Sequence, residues 1–267
     1  MESSEPFPSA WATPFEEFRG RVVLVTGSST GIGAAVAEGF AACGARVALH
    51  GRRSLGDAEA LRSRLSSRGV DARVFSADLT DPAAAANLVH QVANDLGGLH
   101  VLVNNAGDTF ERTPTADLES NDMRRILDLN FTSAASACQA AIPLFRAQRT
   151  GTIINVSSIS ARIGGTAGTV MYAAAKGALS TFTRGLAREL APEGFRVNAV
   201  SPGVIETRIH DRHTPPEIME RFKMQIPLGR VGQPQDCVGA FLFLASERLA
   251  SFVTGQVLEV NGGHLMI

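Results

Sequence analysis

This chain of 267 residues contains a single tyrosine, and only Lys176 and Lys223 among its 25 basic side chains are lysines. Arginine fills the other 23 basic positions, so a lysine four residues after the sole tyrosine, in MYAAAKGALS, runs against the prevailing composition. Cysteine is scarce too. Cys43, Cys138 and Cys237 lie far apart and form no C-x-x-C pair, which argues against a disulfide framework and a zinc site, so a reduced, cytoplasmic protein is expected. No metal is expected, His210 and His213 being read as members of a polar, basic loop, RIHDRH. Neither sign of charge dominates: the formal net charge is -1 with both signs scattered, which leaves no electrostatic footprint for nucleic acid or an acidic membrane. No uninterrupted apolar run reaches the roughly 18 residues of a membrane span. The remaining partner class is a small, neutral or mildly polar molecule.

The first nineteen residues, MESSEPFPSAWATPFEEFR, lack the basic start and apolar stretch of a secretion signal and are rich in Ser, Pro and Glu. They are expected to form a partly disordered arm, with Phe15 and Phe18 able to pack back on the body. Residues 20–267 are expected to form one domain. From Arg21 onward, short β-branched runs alternate with longer Ala-rich amphipathic segments, the rhythm of a single-domain α/β fold with a doubly wound parallel sheet. The strands are RVVLVT, RVALH, ARVF, HVLVNN, GTIINVSS, FRVNAVS and QVLEV. Helices are expected near 31–43, 54–68, 81–96, 117–148, 170–192 and 234–247. The longest irregular stretch follows the sixth strand, from Pro202 to about Thr214. It leads into TPPE at 214–217, which has the form of a capping box with proline at the first helical position, implying a short helix with Ile218 and Phe222 on one face. Residues 204–226 are thus a lid segment, at the strand ends where such sheets bind ligands.

TGSSTGIG, Thr26 to Gly33, leaves the first strand and opens the first helix. Gly27 allows a sharp turn, Gly31 lets the backbone approach a phosphate, and Gly33 lets helix and sheet pack closely. The helix amino end then offers free N–H groups and the positive end of its dipole to an anion. The absence of G-K-[ST] argues against a nucleotide-triphosphate loop. The G-x-x-x-G-x-G spacing, together with NNAG at 104–107 after the fourth strand, resembles the short-chain dehydrogenase/reductase family over roughly residues 20–267. The resemblance implies a Rossmann-type dinucleotide fold and a homotetramer with contacts through the helices at 117–148 and 170–192. It also implies a cofactor wall made by Ser29, Thr30, Ile32 and the glycines of the turn, by Asp78 and Leu79 at adenine, and by Asn105, Ala106 and Gly107 on the adenosine side. Pro202, Gly203, Ile205 and Thr207 of PGVIET would border the nicotinamide. Read alone, Asp78 equally suits a helix cap and Asn105 a strand-end turn.

Cofactor choice is argued at the end of the second strand, VALHGRR. Where an NAD site usually places a carboxylate for the ribose diol, this chain has Gly51, followed by Arg52 and Arg53, whose guanidinium groups suit the 2′-phosphate of NADP. NADP(H) is favoured and NAD(H) stays open, since Thr30 stands where many NADP-preferring relatives carry a second basic residue, and the arginines read equally as a solvated pair.

Tyr172 and Lys176 lie one helical turn apart on one face. Bringing a phenol from a pKa of about 10 to near 7 takes roughly 4 kcal/mol, which one positive charge at about 4 Å supplies at an effective dielectric near 20. A half-buried lysine is therefore the expected tuning group, helped by the positive nicotinamide of an oxidised cofactor, its compact ammonium able to reach where a planar guanidinium would not. NVSS, Asn155 to Ser158, ends the fifth strand and offers Ser158 for the substrate oxygen, with Ser160 as rival. Ser158 reads equally as a turn former. The interval from Ser158 to Tyr172 is one residue longer than the family's usual gap, which implies an insertion in ARIGGTAGTV. Asn130 is a poor helix former in an apolar helical stretch, ILDLNFTSA; a local backbone partner would explain it. The resemblance implies instead that Asn130 holds a water linking Lys176 to solvent, in a proton relay of Asn130, Ser158, Tyr172 and Lys176. The expected function is hydride transfer between NADP(H) and a secondary alcohol or ketone. VNGGHLMI and PGVIET are similar to 3-oxoacyl carrier-protein reductases, with sugar and polyol dehydrogenases equally open. The alternatives are a regulator that senses NADP(H) without catalysis and a scaffold that binds no dinucleotide.

Overall fold

The computed structural model describes residues 15–207 and 216–267. Seven parallel strands form one sheet: β1 (Val22–Val25), β2 (Arg46–Gly51), β3 (Ala72–Ser76), β4 (Val101–Asn104), β5 (Thr152–Val156), β6 (Arg196–Pro202) and β7 (Val257–Val260). Their order is β3-β2-β1-β4-β5-β6-β7, so the chain builds outward from β1 and then returns to continue on its other side at β4. A crevice opens at that reversal, beyond the carboxyl ends of β1 and β4.

Strand apolarity on both faces is what binds two helical layers to the sheet. Val23 and Val25 of β1 join a core with Val36, Phe40, Phe241 and Leu244, from α1 (Gly31–Ala42) and a late helix at Pro234–Ala245. Val22 and Leu24, alternating with them, face a second core with Leu88, Val92, Phe145 and Leu190. That second layer comprises α3 (Pro82–Leu96), α5 (Ser133–Gln148) and α7 (Val170–Leu190), the last preceded by the single turn α6 (Ser160–Ile163), while α2 (Leu55–Ser66) lies on the first side. Polar ties cross the interior as well: Asn104 Nδ2 donates to Asn155 Oδ1 at 2.9 Å, and Asn155 Nδ2 donates to Thr183 Oγ1 at 2.9 Å, linking β4, β5 and α7.

The helical stretch expected over 117–148 is interrupted. α4 (Ser120–Leu127) passes into α5 through a π turn at Asp128–Thr132, which carries Asn130 into the interior. The expected arm divides: residues 1–14 lie outside the described residues, whereas Phe18 is buried edge-on against Phe40 at 5.2 Å and Phe15 stacks on Phe18 at 6.1 Å. In the lid segment, residues 208–215 lie outside the described residues, and with them Thr214 and Pro215 of the expected capping box, His210 and His213. The helix does start at Pro216 and runs to Gln225, with Met219 and Phe222 packed against Val204, Ile226 and Val231; Ile218 is not in that cluster.

Arg196, buried at the start of β6, fastens the far edge. It donates to the Leu244, Ala245 and Ser246 carbonyls at 2.6, 3.0 and 3.2 Å, gathering the open C-terminal end of the helix at 234–245. Arg196→Met takes this donor from the Leu244 and Ala245 carbonyls, the Ser246 carbonyl keeping Ala250 N–H, and is expected to lower unfolding free energy by about 3 kcal/mol in urea titration. A loss below about 1 kcal/mol contradicts this assignment.

Candidate active site

At the carboxyl ends of the strands lies a cavity of about 400 Å3. Its floor is the turn between β1 and α1. Gly27 and Gly31 have φ of 64° and 61°, a region that side chains disfavour. A Cβ on Gly33 would come within 2.5 Å of the Gly27 carbonyl and of Asn105 Nδ2, so only glycine lets α1 sit this close. Thr30 precedes α1 without a side-chain cap, leaving the first N–H groups of the helix directed at the cavity. Asn105 laces the turn to β4 by donating to the Thr26 and Gly27 carbonyls at 2.8 and 3.1 Å.

A second tether, His50, was not singled out in the sequence. It is buried at the end of β2, accepts from Gly27 N–H through Nδ1 at 2.9 Å, and lies 3.1 Å from the Ala77 carbonyl through Nε2. Because Gly27 must donate, the proton belongs on Nε2, and one imidazole holds the glycine turn to the loop after β3. Burial, partly opposed by the Ala77 hydrogen bond, pushes its pKa below the ordinary histidine value and so favours that neutral form. A histidine ending an otherwise apolar strand beside the glycine turn was the available signal.

Beyond β2, Arg52 pairs with Asp78 at 2.6 Å and Arg53 lines the same wall. Asp78 is not the cap of the following helix; Asp81 is, accepting from Ala83 N–H at 2.9 Å. Burial raises the Asp78 carboxyl, but hydrogen bonds from Thr80 and the charges of Arg52 and Arg53 outweigh it and hold the group below its usual value. These residues fit a dinucleotide: glycines where a Cβ would obstruct, open helix N–H groups for a pyrophosphate, and two guanidinium groups at the end of β2. Every residue assigned above to the cofactor wall lines this cavity, from Gly27 to Thr207.

Tyr172, Ser158 and Lys176 line it too, with the Ser158 hydroxyl near enough to the phenol to lower its pKa. Ser160, the rival, gives its backbone N–H to Ser158 Oγ at 3.1 Å. Lys176 is fully rather than half buried, 2% exposed, and donates through Nζ to the Val156 carbonyl at 2.8 Å, with Nζ 5.7 Å from the Tyr172 ring centre. Burial lowers its pKa to about 8. The protein's own groups do not bring the phenol near neutrality. Burial raises the Tyr172 pKa, the Ser158 hydroxyl lowers it by less, and the Asp108 carboxylate raises it further. An ammonium already bonded to a backbone carbonyl does not reverse that balance.

Asn130 stands behind this wall, not in it. Its Nδ2 donates to the Asp108 and Ile126 carbonyls at 2.8 and 2.9 Å, and its Oδ1 accepts from Asp108 N–H at 3.2 Å. Both N–H groups are thus committed, leaving one acceptor lone pair on Oδ1. Asp108, Phe110, Arg112 and His264, none of them marked by a sequence motif, also line the cavity, together with Phe222. Arg125 lies 4.2 Å over the Phe110 ring, and Phe110 has a φ of 53°.

With only two lysines in the chain, selective labelling yields two ε signals by NMR, and Lys223→Arg identifies which is which. The Lys176 signal is expected to titrate with a midpoint near 8. Between that value and 10.5 the unfolded chain binds the extra proton, so stability should rise with pH through this window. An unshifted midpoint contradicts the burial of this ammonium.

The chain matches the family model described as Enoyl-(Acyl carrier protein) reductase over residues 27–264. It is 38% identical over 248 residues to the 3-oxoacyl-(acyl-carrier-protein) reductase FabG of Aquifex aeolicus, covering 92% of this chain and 98% of that one. It is also 38% identical over 250 residues to the 3alpha-hydroxysteroid dehydrogenase of Mediterraneibacter gnavus, covering 93% and 98% respectively. A solved structure from Beutenbergia cavernae, provisionally assigned as an NAD(P)-dependent gluconate 5-dehydrogenase and holding NADP at low occupancy, aligns with a TM-score of 0.87 at 35% identity, covering 94% of this chain and 98% of that chain. The glycine turn, the strand order and the serine-tyrosine-lysine cluster agree with that extent of similarity: the chain belongs to the short-chain dehydrogenase/reductase family of oxidoreductases.

Proposed function

We propose that this protein transfers a hydride between NADP(H) and a ketone or secondary alcohol, with Tyr172 as general acid and base. The observation that carries the reading is that Ser158, Tyr172 and the buried Lys176 line one cavity with the glycine turn. When bound, the nicotinamide supplies or accepts the hydride. Ser158 orients the substrate oxygen by a hydrogen bond. In reduction the Tyr172 phenol, protonated at neutral pH, gives its proton to that oxygen as negative charge develops there. In oxidation the phenol must first lose its proton, and the Lys176 ammonium on the same helical face stabilises the phenolate. Asn130 completes the relay through the acceptor lone pair left on Oδ1, which suits one water between it and Lys176. The same reading has a cytoplasmic homotetramer with contacts through α4, α5 and α7. Among the described residues no helix is long and apolar enough to cross a membrane.

Preference for NADP(H) is supported by Gly51 in place of a ribose-binding carboxylate and by Arg52 and Arg53 on the cavity wall. Asp78 already engages Arg52, which leaves Arg53 as the guanidinium more available to a 2′-phosphate.

Tyr172→Phe is expected to lower kcat for ketone reduction by roughly 10²–10⁴-fold while NADPH still binds, as read by fluorescence titration. Full activity in that variant refutes the assignment, and cofactor binding without turnover in the parent protein on a broad carbonyl and alcohol panel identifies the regulator instead. Arg53→Ala should reduce the NADPH-to-NADH ratio of kcat/KM by about 10-fold or more, and an unchanged ratio in both Arg53→Ala and Arg52→Ala removes the argument for NADP(H).

A further inference from the structure

Asp108 follows the Asn105-Ala106-Gly107 turn and, among the described residues, is the one carboxylate on the cavity wall besides Asp78. Its backbone is held at both polar groups by a single buried side chain: Asn130 accepts from its N–H and donates to its C=O, at 3.2 and 2.8 Å. Its Oδ1 accepts from Phe110 N–H at 3.1 Å. Among the described residues Oδ2 has no hydrogen-bond partner, and it is not among the polar atoms sealed from solvent. A rigidly placed carboxylate oxygen therefore opens on the space shared with Tyr172 and Ser158, close enough for its charge to act on the Tyr172 phenol.

An ionised carboxylate is an acceptor only, so it favours ligands that bring a donor and disfavours those that bring negative charge. A cationic donor would meet Arg112 on the same wall, whereas a hydroxyl carries no such conflict. Hydroxyl-bearing groups at Ser160, Thr166 and Thr169 also line this end of the cavity. We propose that Asp108 is a specificity-determining residue whose carboxylate accepts a hydrogen bond from a substrate hydroxyl near the reacting carbonyl, so that hydroxylated ketones and their diols are preferred over the deoxy analogues. This rests on the hydride-transfer reading and names the substrate class for the same site. The hydroxyl is bound and not transformed; the bonds made and broken are those of the ketone reduction.

The test uses three carbonyl compounds of equal chain length, butanone, acetoin and erythrulose, with the cofactor the protein prefers. The parent protein is expected to favour acetoin and erythrulose over butanone by about 10-fold or more in kcat/KM, the scale of one hydrogen bond to a charged group. Asp108→Asn keeps an acceptor for Phe110 N–H and is expected to bring the ratio close to one, and Asp108→Leu to invert it. Cofactor-induced thermal shifts verify that both variants are folded. Saturation-transfer NMR on Tyr172→Phe, with and without Asp108→Asn, reads the same preference as binding, without turnover. Butanone used as well as its hydroxylated analogues by the parent protein, or a ratio untouched by Asp108→Asn, overturns the proposal and leaves the oxidoreductase reading standing. Cofactor binding with no turnover of any carbonyl compound removes both.

Discussion

The candidate site is organised around a charge placed where charge is costly. Lys176 is 2% exposed, and its Nζ finds one hydrogen-bond acceptor among the described residues, the Val156 carbonyl at the end of β5. An ammonium has three donors, so such burial is tolerable only if the remaining two meet polar contents of the cavity. Space for it is made by Gly107, where a Cβ would come within 3.1 Å of Nζ and 2.7 Å of Asn130 Oδ1. The glycine of NNAG thus has a steric purpose beyond the turn: any side chain there would displace the lysine or the asparagine. Arginine, which serves nearly everywhere else in this chain, could not place a planar guanidinium in the same pocket while holding one backbone carbonyl.

Holding that lysine requires strands and helix to keep a fixed register, and buried polar ties supply it. Ser157 on the strand edge lies 2.7 Å from Ser180 Oγ and donates to the Lys176 carbonyl at 3.2 Å, so β5 grips α7 at the residue that matters. One turn further along, Asn155 and Thr183 repeat the tie. Networks of this kind are costly when half satisfied and rigid when complete, which suits a site whose side chains must stay aligned. The π turn serves the same end. It swings Asn130 inward, where its amide serves Ile126 at the end of α4 and Asp108 across the gap.

Much of this was legible in the residues because it depends on local pattern. β-branched runs alternating with amphipathic segments dictate a parallel sheet, and glycines at fixed offsets dictate a turn. The tyrosine-lysine spacing places two groups on one helical face whatever surrounds them. What escaped depends on distance through space. His50 matters because Gly27 and Ala77, 23 and 27 residues away, converge on its two nitrogens. Asp108 carries no motif in the sequence, and only the fold brings its charge near enough to act on Tyr172. Asn130 was noticed as a misfit, yet only the folded chain reveals that its misfit is a π turn and that its donors are already taken. The phenol's surroundings are hidden for the same reason, since the sequence displays the lysine but neither the desolvation of the ring nor the carboxylate nearby.

Those surroundings set what the phenol can do. A phenol poised near neutrality would serve both directions equally, whereas a phenol held above its ordinary value is protonated throughout the physiological range and is ready as an acid. Lys176, at about 8, is still mostly charged at neutral pH and can stabilise the anion once the proton has left. The two groups therefore divide the work, Tyr172 carrying the proton and Lys176 limiting the cost of its departure. Asp108 opposes that departure, because its negative charge disfavours a second one on the phenolate. A residue that only lined the wall would be better uncharged, and the natural reason to accept this electrostatic penalty beside the reacting group is a substrate hydroxyl that needs an acceptor there.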